Sequence, residues 1–311
     1  MVKIDKKDKR ILEFLDFNSR ASLSEIAKKL GYSKQLVKYR LDELQKKGII
    51  KGTYGLLDIF KVGYGCYRIF LKFQNLSEKK EKEIVDYILR LKKVKRVIRI
   101  GGEWDLVFVV WTKNLAELEN TIEKLTLRFG KWIFNKYISI VAQFSYFRYK
   151  YAYDTEDFPS FTISLNQETV QLDKIDEHLI EILNKDGRIP IIKIAKKLRL
   201  SPVTIKKRID SLLEKGVIKC FRLIINEDKL DYFNYWVYVK FKGLNPERIE
   251  GLVNFLKSHK NVLSVSKSVE KTDLEVNLFV KTPKILYEFI SQLKFKFSDI
   301  IGDFVWYAIY S

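Results

Sequence analysis

The chain repeats itself at an offset of 168 residues. Asp5 matches Asp173, Asp8 matches Asp176 and Arg20 matches Arg188. The run Ile26-Ala27-Lys28-Lys29-Leu30 matches Ile194-Ala195-Lys196-Lys197-Leu198. Ser33 meets Ser201, Arg40 meets Arg208, and Gly48 meets Gly216, all without a gap. Solenoid units repeat at roughly 20–50 residues, so this period is too long for one. It marks duplication of a domain-sized unit.

Length and composition narrow the class. A chain of 311 residues corresponds to about two domains or more, and a hydrophobic fraction of 47% is ample for packed cores. No apolar run approaches the ~18 residues that a membrane span needs. The start, Met1-Val2-Lys3-Ile4-Asp5, lacks the apolar core of a signal peptide. The expectation is a soluble cytoplasmic protein with no membrane partner. Cys66 and Cys220 fall at non-equivalent positions of the repeat and form no CxxC pair. Neither a disulfide framework nor a metal site is expected, and no cofactor is called for. The single methionine and the abundance of Lys and Ile fit a thermophile or AT-rich coding alike.

Net charge is +19. Residues 1–150 carry 33 basic against 17 acidic side chains, and residues 172–311 carry 25 against 18. Residues 151–171 carry four acids and no base. Such a balance points to a polyanionic partner, double-stranded DNA above all. A solvated, lysine-rich surface is the plainer reading.

Periodicity gives an α+β fold with two copies of one composite unit. Residues 5–17 space Ile11, Leu12, Phe14 and Leu15 as a helix does. Ser22 and Glu25 make a capping box for a short helix that ends at Leu30-Gly31. Ser33 caps a third helix running to about Lys46. Residues 49–59 read as a short hairpin. The second copy gives helices at 173–184, 190–198 and 201–214 and strands near 217–225. Pro190 and Pro202 sit in first turns, and Arg199 replaces the turn glycine.

After each such unit the period drops to two. Tyr67, Ile69, Leu71 and Phe73 alternate as a half-buried strand. Residues 61–150 then read βαββαβ, the ferredoxin-like arrangement, and residues 231–311 repeat it. The expected domains are a winged helix-turn-helix at 1–60, a ferredoxin-like domain at 61–150, a connector at 151–171, a second winged helix-turn-helix at 172–230 and a second ferredoxin-like domain at 231–311. Phe161–Leu165 of the connector suits an added edge strand.

Two short helices, a tight turn and a basic following segment make a DNA-reading element. In the third helix Val37, Leu41 and Leu44 form the buried stripe. Lys34, Gln35, Lys38 and Tyr39 face outward. Gln can bond adenine twice, and Lys can bond guanine or phosphate. Ser33 at the helix start favours a phosphate oxygen. In the second copy Ser201 is the cap, Val203, Thr204, Lys206 and Lys207 face outward, and Val203 suits a thymine methyl. Arg40 and Arg208 flank the buried stripe, placed either to clamp phosphate or to pair with Asp8 and Asp176 inside the domain.

Asp5-x-x-Asp8, the Ile26-Ala27 helix, Ser33…Arg40 and Lys47-Gly48-Ile49-Ile50 resemble the leucine-responsive regulatory protein/AsnC family of transcription regulators. The resemblance covers nearly all of the chain except the connector. It implies DNA binding, sensing domains that pair through their sheets, and an amino-acid effector held where they meet; the sequence holds no Ser/His/Asp set, metal cluster or phosphate-binding glycine loop, so no enzyme is expected. Duplication is the departure: the chain resembles two protomers fused, an intramolecular pseudo-dimer or one half of a homodimer. The family's glycine–aromatic–aspartate hairpin appears as Gly101, Gly102, Trp104 and Asp105. Val269-Glu270-Lys271-Thr272-Asp273 lacks the glycines and the aromatic. Siroheme decarboxylases share the two-part architecture, which makes an enzyme the runner-up. His178 and His259 are the only histidines, and neither sits in a catalytic motif. An adaptor that docks on other transcription factors is a third reading.

Overall fold

The computed structural model describes residues 4–153, 155, 159–243, 245–269 and 273–310. In chain order the first copy holds α1 (Lys6–Asp16), α2 (Leu23–Leu30), α3 (Lys34–Lys46) and β1 (Ile50–Leu57). It continues through β2 (Gly65–Phe73), α4 (Glu78–Arg90), β3 (Val94–Gly101), β4 (Leu106–Thr112), α5 (Leu115–Phe129) and β5 (Ile133–Phe147). The connector adds β6 (Ser160–Ser164). The second copy holds α6 (Lys174–Lys185), α7 (Ile191–Leu198), α8 (Pro202–Glu214) and β7 (Ile218–Ile225). It ends with β8 (Phe233–Phe241), α9 (Pro246–Ser258), β9 (Val262–Val269), β10 (Leu274–Val280), α10 (Pro283–Lys296) and β11 (Ile301–Tyr310). The offset of 168 residues maps β2 onto β8, α4 onto α9, β3 onto β9 and β4 onto β10 without a gap.

Two compact units form, and each takes one half of both copies. Unit one holds Met1–Val62, Phe147–Phe161 and Glu168–Tyr232; unit two holds Gly63–Tyr146, Thr162–Gln167 and Phe233–Ser311.

In unit one, helix ends follow local chemistry. The Asp5 carboxylate accepts the Lys7 and Asp8 amides at 2.8 and 2.9 Å and so starts α1. Ser22 and Glu25 cap α2 reciprocally. Gly31 ends it at φ +69°, where a side chain would be strained. Arg199 adopts the same left-handed conformation at φ +55° after α7, the strained turn expected there. Pro190 stands just before α7 as its N-cap residue, and Pro202 opens α8.

The hairpin expected at 49–59 does not form. β1 is one continuous strand, and its partner is the equivalent strand β7 of the other copy. The backbone runs extended through Gly52 and Gly55, where a hairpin would turn, and β7 offers a matching antiparallel ladder instead. The ladder is pseudo-symmetric: Thr53 faces Leu223 and Gly55 faces Phe221, which the offset interchanges. The Ser19 amide donates to the Phe221 carbonyl at 2.8 Å, and its counterpart, the Gly187 amide, donates to the Thr53 carbonyl at 3.0 Å.

Unit two is a nine-stranded sheet of order β2-β4-β3-β11-β8-β10-β9-β5-β6. Because β2 also pairs with β5, the strands from β2 to β5 close into a barrel. β6 lies outside the closure, beside β5. The copies join at β3–β11 and again at β5–β9. Alternation along each strand serves two cores. In the first copy Tyr67, Ile69, Leu71, Leu106, Phe108 and Val110 pack against Ile84 and Ile88 of α4 and Leu118, Leu125 and Phe129 of α5. The other face of the same strands brings Phe70, Ile98, Ile100 and Val107 together with Trp236, Tyr238 and Tyr307 of the second copy. No described helix is long and apolar enough to cross a membrane.

Candidate nucleic-acid interface

Each copy in unit one presents a helix-turn-helix whose second helix is anchored on one side. Val37, Leu41 and Leu44 of α3 are buried, as are Ile205, Ile209 and Leu212 of α8. The opposite faces are open. Ser33, Lys34, Gln35, Lys38 and Tyr39 are exposed, Tyr39 by 61%. Ser201, Val203, Lys206 and Lys207 are exposed, Val203 by 65%. Thr204 is half-buried, and its hydroxyl lies 2.8 Å from that of Ser201. The Ser33 oxygen accepts the Leu36 amide at 3.1 Å, and the Ser201 oxygen accepts the Thr204 amide at 3.1 Å. Those hydroxyls fix the helix starts by satisfying one first-turn amide each.

The two faces differ in chemistry. α3 offers Lys34, Gln35, Lys38 and Tyr39, a basic set with a polar reader and an aromatic ring. α8 begins Pro202-Val203 and offers its lysines together, as Lys206-Lys207.

Of the two placements open to Arg40 and Arg208, each makes the internal pair with acids of its own copy. The Arg40 guanidinium bonds Asp5 and, at 3.3 Å, Asp8. Arg208 bonds Asp173 at 2.8 Å and Asp176 at 2.7 Å. Each pair ties the second reading helix to the start of the first helix of its copy. Hydrogen bonding to Asp5 raises the Arg40 pKa, and bonding to Asp176 and Asp173 raises that of Arg208. In each copy both bonds come from one guanidinium nitrogen, Nη1, so the two carboxylates offset the charge of the arginine that they hold.

The two helix-turn-helix halves are clamped to each other by a pair of equivalent arginines. Arg20 donates to the Gly187 and Ile189 carbonyls at 2.7 and 3.3 Å, and its counterpart Arg188 donates to the Ala21 carbonyl at 2.9 Å. Their equivalence was visible in the repeat, but their target, backbone of the opposite copy, carries no side-chain signal.

In unit two the glycine–aromatic hairpin is taken up by packing. A Cβ at Gly101 would lie 2.9 Å from the Tyr310 hydroxyl, and one at Gly102 (φ +136°) 2.8 Å from the Tyr307 ring. Trp104 is buried and stacks on Tyr137 with ring centroids 6.1 Å apart. Asp105 accepts the Phe73 amide and the Lys72 ammonium, each at 2.8 Å. Asp273 repeats the first of these bonds, to the Phe241 amide at 2.8 Å, without glycines or tryptophan beside it. This repetition accounts for the aspartate as a strand tie. Glu270, Lys271 and Thr272 lie outside the described residues. His259 is held between Phe255 and Phe289, and His178 is exposed on α6.

The family described as "Winged helix-turn-helix DNA-binding" matches the chain twice, at residues 4–51 and 172–219. An uncharacterized HTH-type transcriptional regulator of Pyrococcus horikoshii is 32% identical over 128 residues, 39% of this chain and 83% of that protein. The HTH-type transcriptional regulator FL11 of Pyrococcus abyssi is 32% identical over 136 residues, 43% of this chain and 82% of its own length. LrpA of Pyrococcus horikoshii is 31% identical over 121 residues, covering 38% and 83%. Each of these alignments thus takes in about two fifths of the chain and more than four fifths of the relative. Over the whole chain the crystal structure of the siroheme decarboxylase NirDL superposes with a TM-score of 0.66 at 14% identity, covering 98% of this chain and 91% of that one. At that identity the likeness is one of fold.

Proposed function

This chain belongs to the leucine-responsive regulatory protein/AsnC family of HTH-type transcriptional regulators, and from that premise we propose that it reads DNA sequence with two unlike recognition helices carried in one chain. The observation that carries the reading is the pair of open, lysine-bearing faces on α3 and α8, in domains joined directly by β1 and β7. Gln35, Lys34 and Lys38 read or grip one half-site; Val203, Lys206 and Lys207 meet the other. Since the two faces differ, the target is an imperfect palindrome. Recognition helices of paired domains enter successive major grooves about one duplex turn apart. Lysine contacts displace counterions from phosphate, so affinity falls steeply with salt. Regulation of transcription is the activity, and the chain is not an enzyme.

The test is a salt titration of binding to genomic DNA fragments, with sequencing of the retained fraction. One enriched, imperfectly palindromic site is the expected result. Uniform weak retention would replace this reading with non-specific DNA coating, and absence of binding would refute it.

A further inference from the structure

Two buried charge pairs join one copy to the other, and neither recurs at the positions equivalent by the 168-residue offset. In unit two, Arg68 of β2 and Glu275 of β10 form an ion pair, with relative exposures of 5% and 4%. Arg68 also donates to the Ser266 hydroxyl at 3.1 Å and lies 5.5 Å from the ring centres of Phe144 and Trp236. The offset replaces Arg68 by Trp236, Glu275 by Val107 and Ser266 by Ile98. In unit one, Arg222 of β7 donates to the Asp16 carboxylate at 3.1 Å, with exposures of 1% and 0%. There the offset replaces Asp16 by Asn184 and Arg222 by Tyr54.

Both pairs depend on which copy meets which. If two first copies paired in the same geometry, Arg68 would meet Val107 and Ile98, and Asp16 would meet Tyr54. If two second copies paired, Glu275 would meet Trp236, and Arg222 would meet Asn184. Every such arrangement buries charges without a counter-ion, which is strongly unfavourable. First with second is the arrangement that neutralises all four.

We infer that these residues form a recognition code by which each half of the chain accepts the other half and rejects a second copy of itself. The partner surface of the first copy is the second copy, and like-with-like assembly is disfavoured at two separate places. Specificity is carried as much by the penalty on wrong pairs as by the gain in the right one. The pairing inference does not depend on DNA binding. Its consequence, a target read in one fixed direction by unlike helices, rests on the proposed function.

The experiment uses full-length proteins: the unaltered chain, Arg68→Met, Glu275→Leu, the two combined, and the inverted pair Arg68→Glu with Glu275→Arg. Urea unfolding gives the folding constant, and light scattering gives the mass up to concentrations on the order of 100 µM. The unaltered chain is expected to have the mass of one chain. Each single change should lower the folding constant about a hundredfold or more, because one charge is left buried alone. The apolar double variant should recover to within about tenfold, since two apolar side chains tolerate that site. With Asp16→Leu and Arg222→Met added, so that both pairs are gone, the chain should also form species of two or more chains as concentration rises. The inverted pair should restore both stability and the one-chain mass, and it decides the matter even where a single variant fails to fold. Additive losses in the apolar double variant, or persistence of the variant lacking both pairs at one-chain mass throughout, would overturn the inference: the covalent tether alone would then set the pairing. An inverted pair that stays as unstable as the single variants would also overturn it.

Discussion

Tyr54 and Arg222 stand directly opposite each other in the β1–β7 ladder, and the 168-residue offset maps each onto the other. They mark the local two-fold axis of unit one. A phenol occupies the site in one copy and a guanidinium in the other, so the duplicated halves have diverged where they touch. The Arg222 guanidinium bonds Asp16 and the Phe147 carbonyl and lies 5.0 Å from the Phe17 ring centre and 4.5 Å from that of Tyr149. Asp16 in turn accepts the Tyr149 amide at 2.8 Å and the Tyr153 hydroxyl.

Removing Arg222 should therefore cost more than a surface charge would. Arg222→Met leaves a buried carboxylate with hydrogen bonds but no counter-charge. Such losses run to about 3–5 kcal/mol. Arg222→Lys should recover only part, since an ammonium cannot reproduce the planar fork that reaches both Asp16 and a carbonyl. Urea unfolding at neutral pH measures both, and a loss below about 1 kcal/mol for Arg222→Met would contradict the network described.

Gly187 tests the same junction from the backbone side. A Cβ there would lie 2.7 Å from the Tyr54 carbonyl carbon and 2.9 Å from its nitrogen, atoms that cannot rotate away. Gly187→Ala should destabilise by about 1–3 kcal/mol, the usual cost of forcing atoms into a packed site. Gly251 lies inside α9 with nothing within 4 Å of a built Cβ. Gly251→Ala should stabilise by about 0.5–1 kcal/mol, because alanine is the better helix former. Thermal melts of the two variants should shift in opposite directions.

Much of this architecture was legible because its signals are local. Ser22 with Glu25, Ser33 and Ser201 mark helix starts through bonds spanning three residues, and the alternation of Tyr67, Ile69 and Leu71 marks a strand through its own pleat. The pairing of β1 was not legible, since its partner lies 168 residues away and 49–59, with Gly52 and Gly55 between two apolar runs, reads equally well as a hairpin closed on itself. Asp16, Arg222, Arg68 and Glu275 were invisible for the same reason: a charged residue in a sequence reads as surface until its burial is known. Gly101 and Gly102 show another limit of the sequence, which marks a need for space without naming what fills it. Their need for space is real, but it is filled by Tyr310 and Tyr307 of the other copy.

The two reading helices should contribute unequally to DNA binding. Lys34 and Lys38 are both exposed on α3, and Gln35 and Tyr39 stand exposed beside them. Lys206 and Lys207 on α8 are accompanied by Val203 and a Thr204 whose hydroxyl is engaged with Ser201. Lys34→Glu with Lys38→Glu should abolish binding, whereas Lys206→Glu with Lys207→Glu should weaken it less. Titration of the selected DNA by fluorescence anisotropy decides this, and equal losses would refute the asymmetry.

Arg40 and Lys38 sit two residues apart and should behave differently. Lys38→Ala removes one exposed charge that the proposed function sets against phosphate, so the salt slope of binding should fall by about 1. Arg40→Ala should leave that slope unchanged, because its guanidinium is committed to Asp5 and Asp8. Its effect should appear as a lower melting temperature. Paired measurement of salt slope and melting for each variant separates a DNA contact from an internal tie.

Acid should loosen the same ties in both copies. Burial pushes the Asp5 carboxyl up, but the Asp8 amide and Arg40 outweigh it, and the net position lies below the ordinary value of 3.8. The Asp176 amide and Arg208 hold Asp173 below the same value. A carboxyl depressed in the folded state binds its proton later than in the unfolded chain. Its contribution is therefore complete above pH 3.8 and disappears as pH falls through the lower folded value. Melting temperature should hold steady from neutral pH down to about 5 as far as these two groups are concerned, and decline below about 4. Asp5→Asn with Asp173→Asn keeps a good helix cap while removing the charge. That double variant should melt lower at neutral pH and lose less than the unaltered chain between about pH 4 and pH 2. An unchanged acid slope would show that Arg40 and Arg208 contribute nothing through these carboxylates.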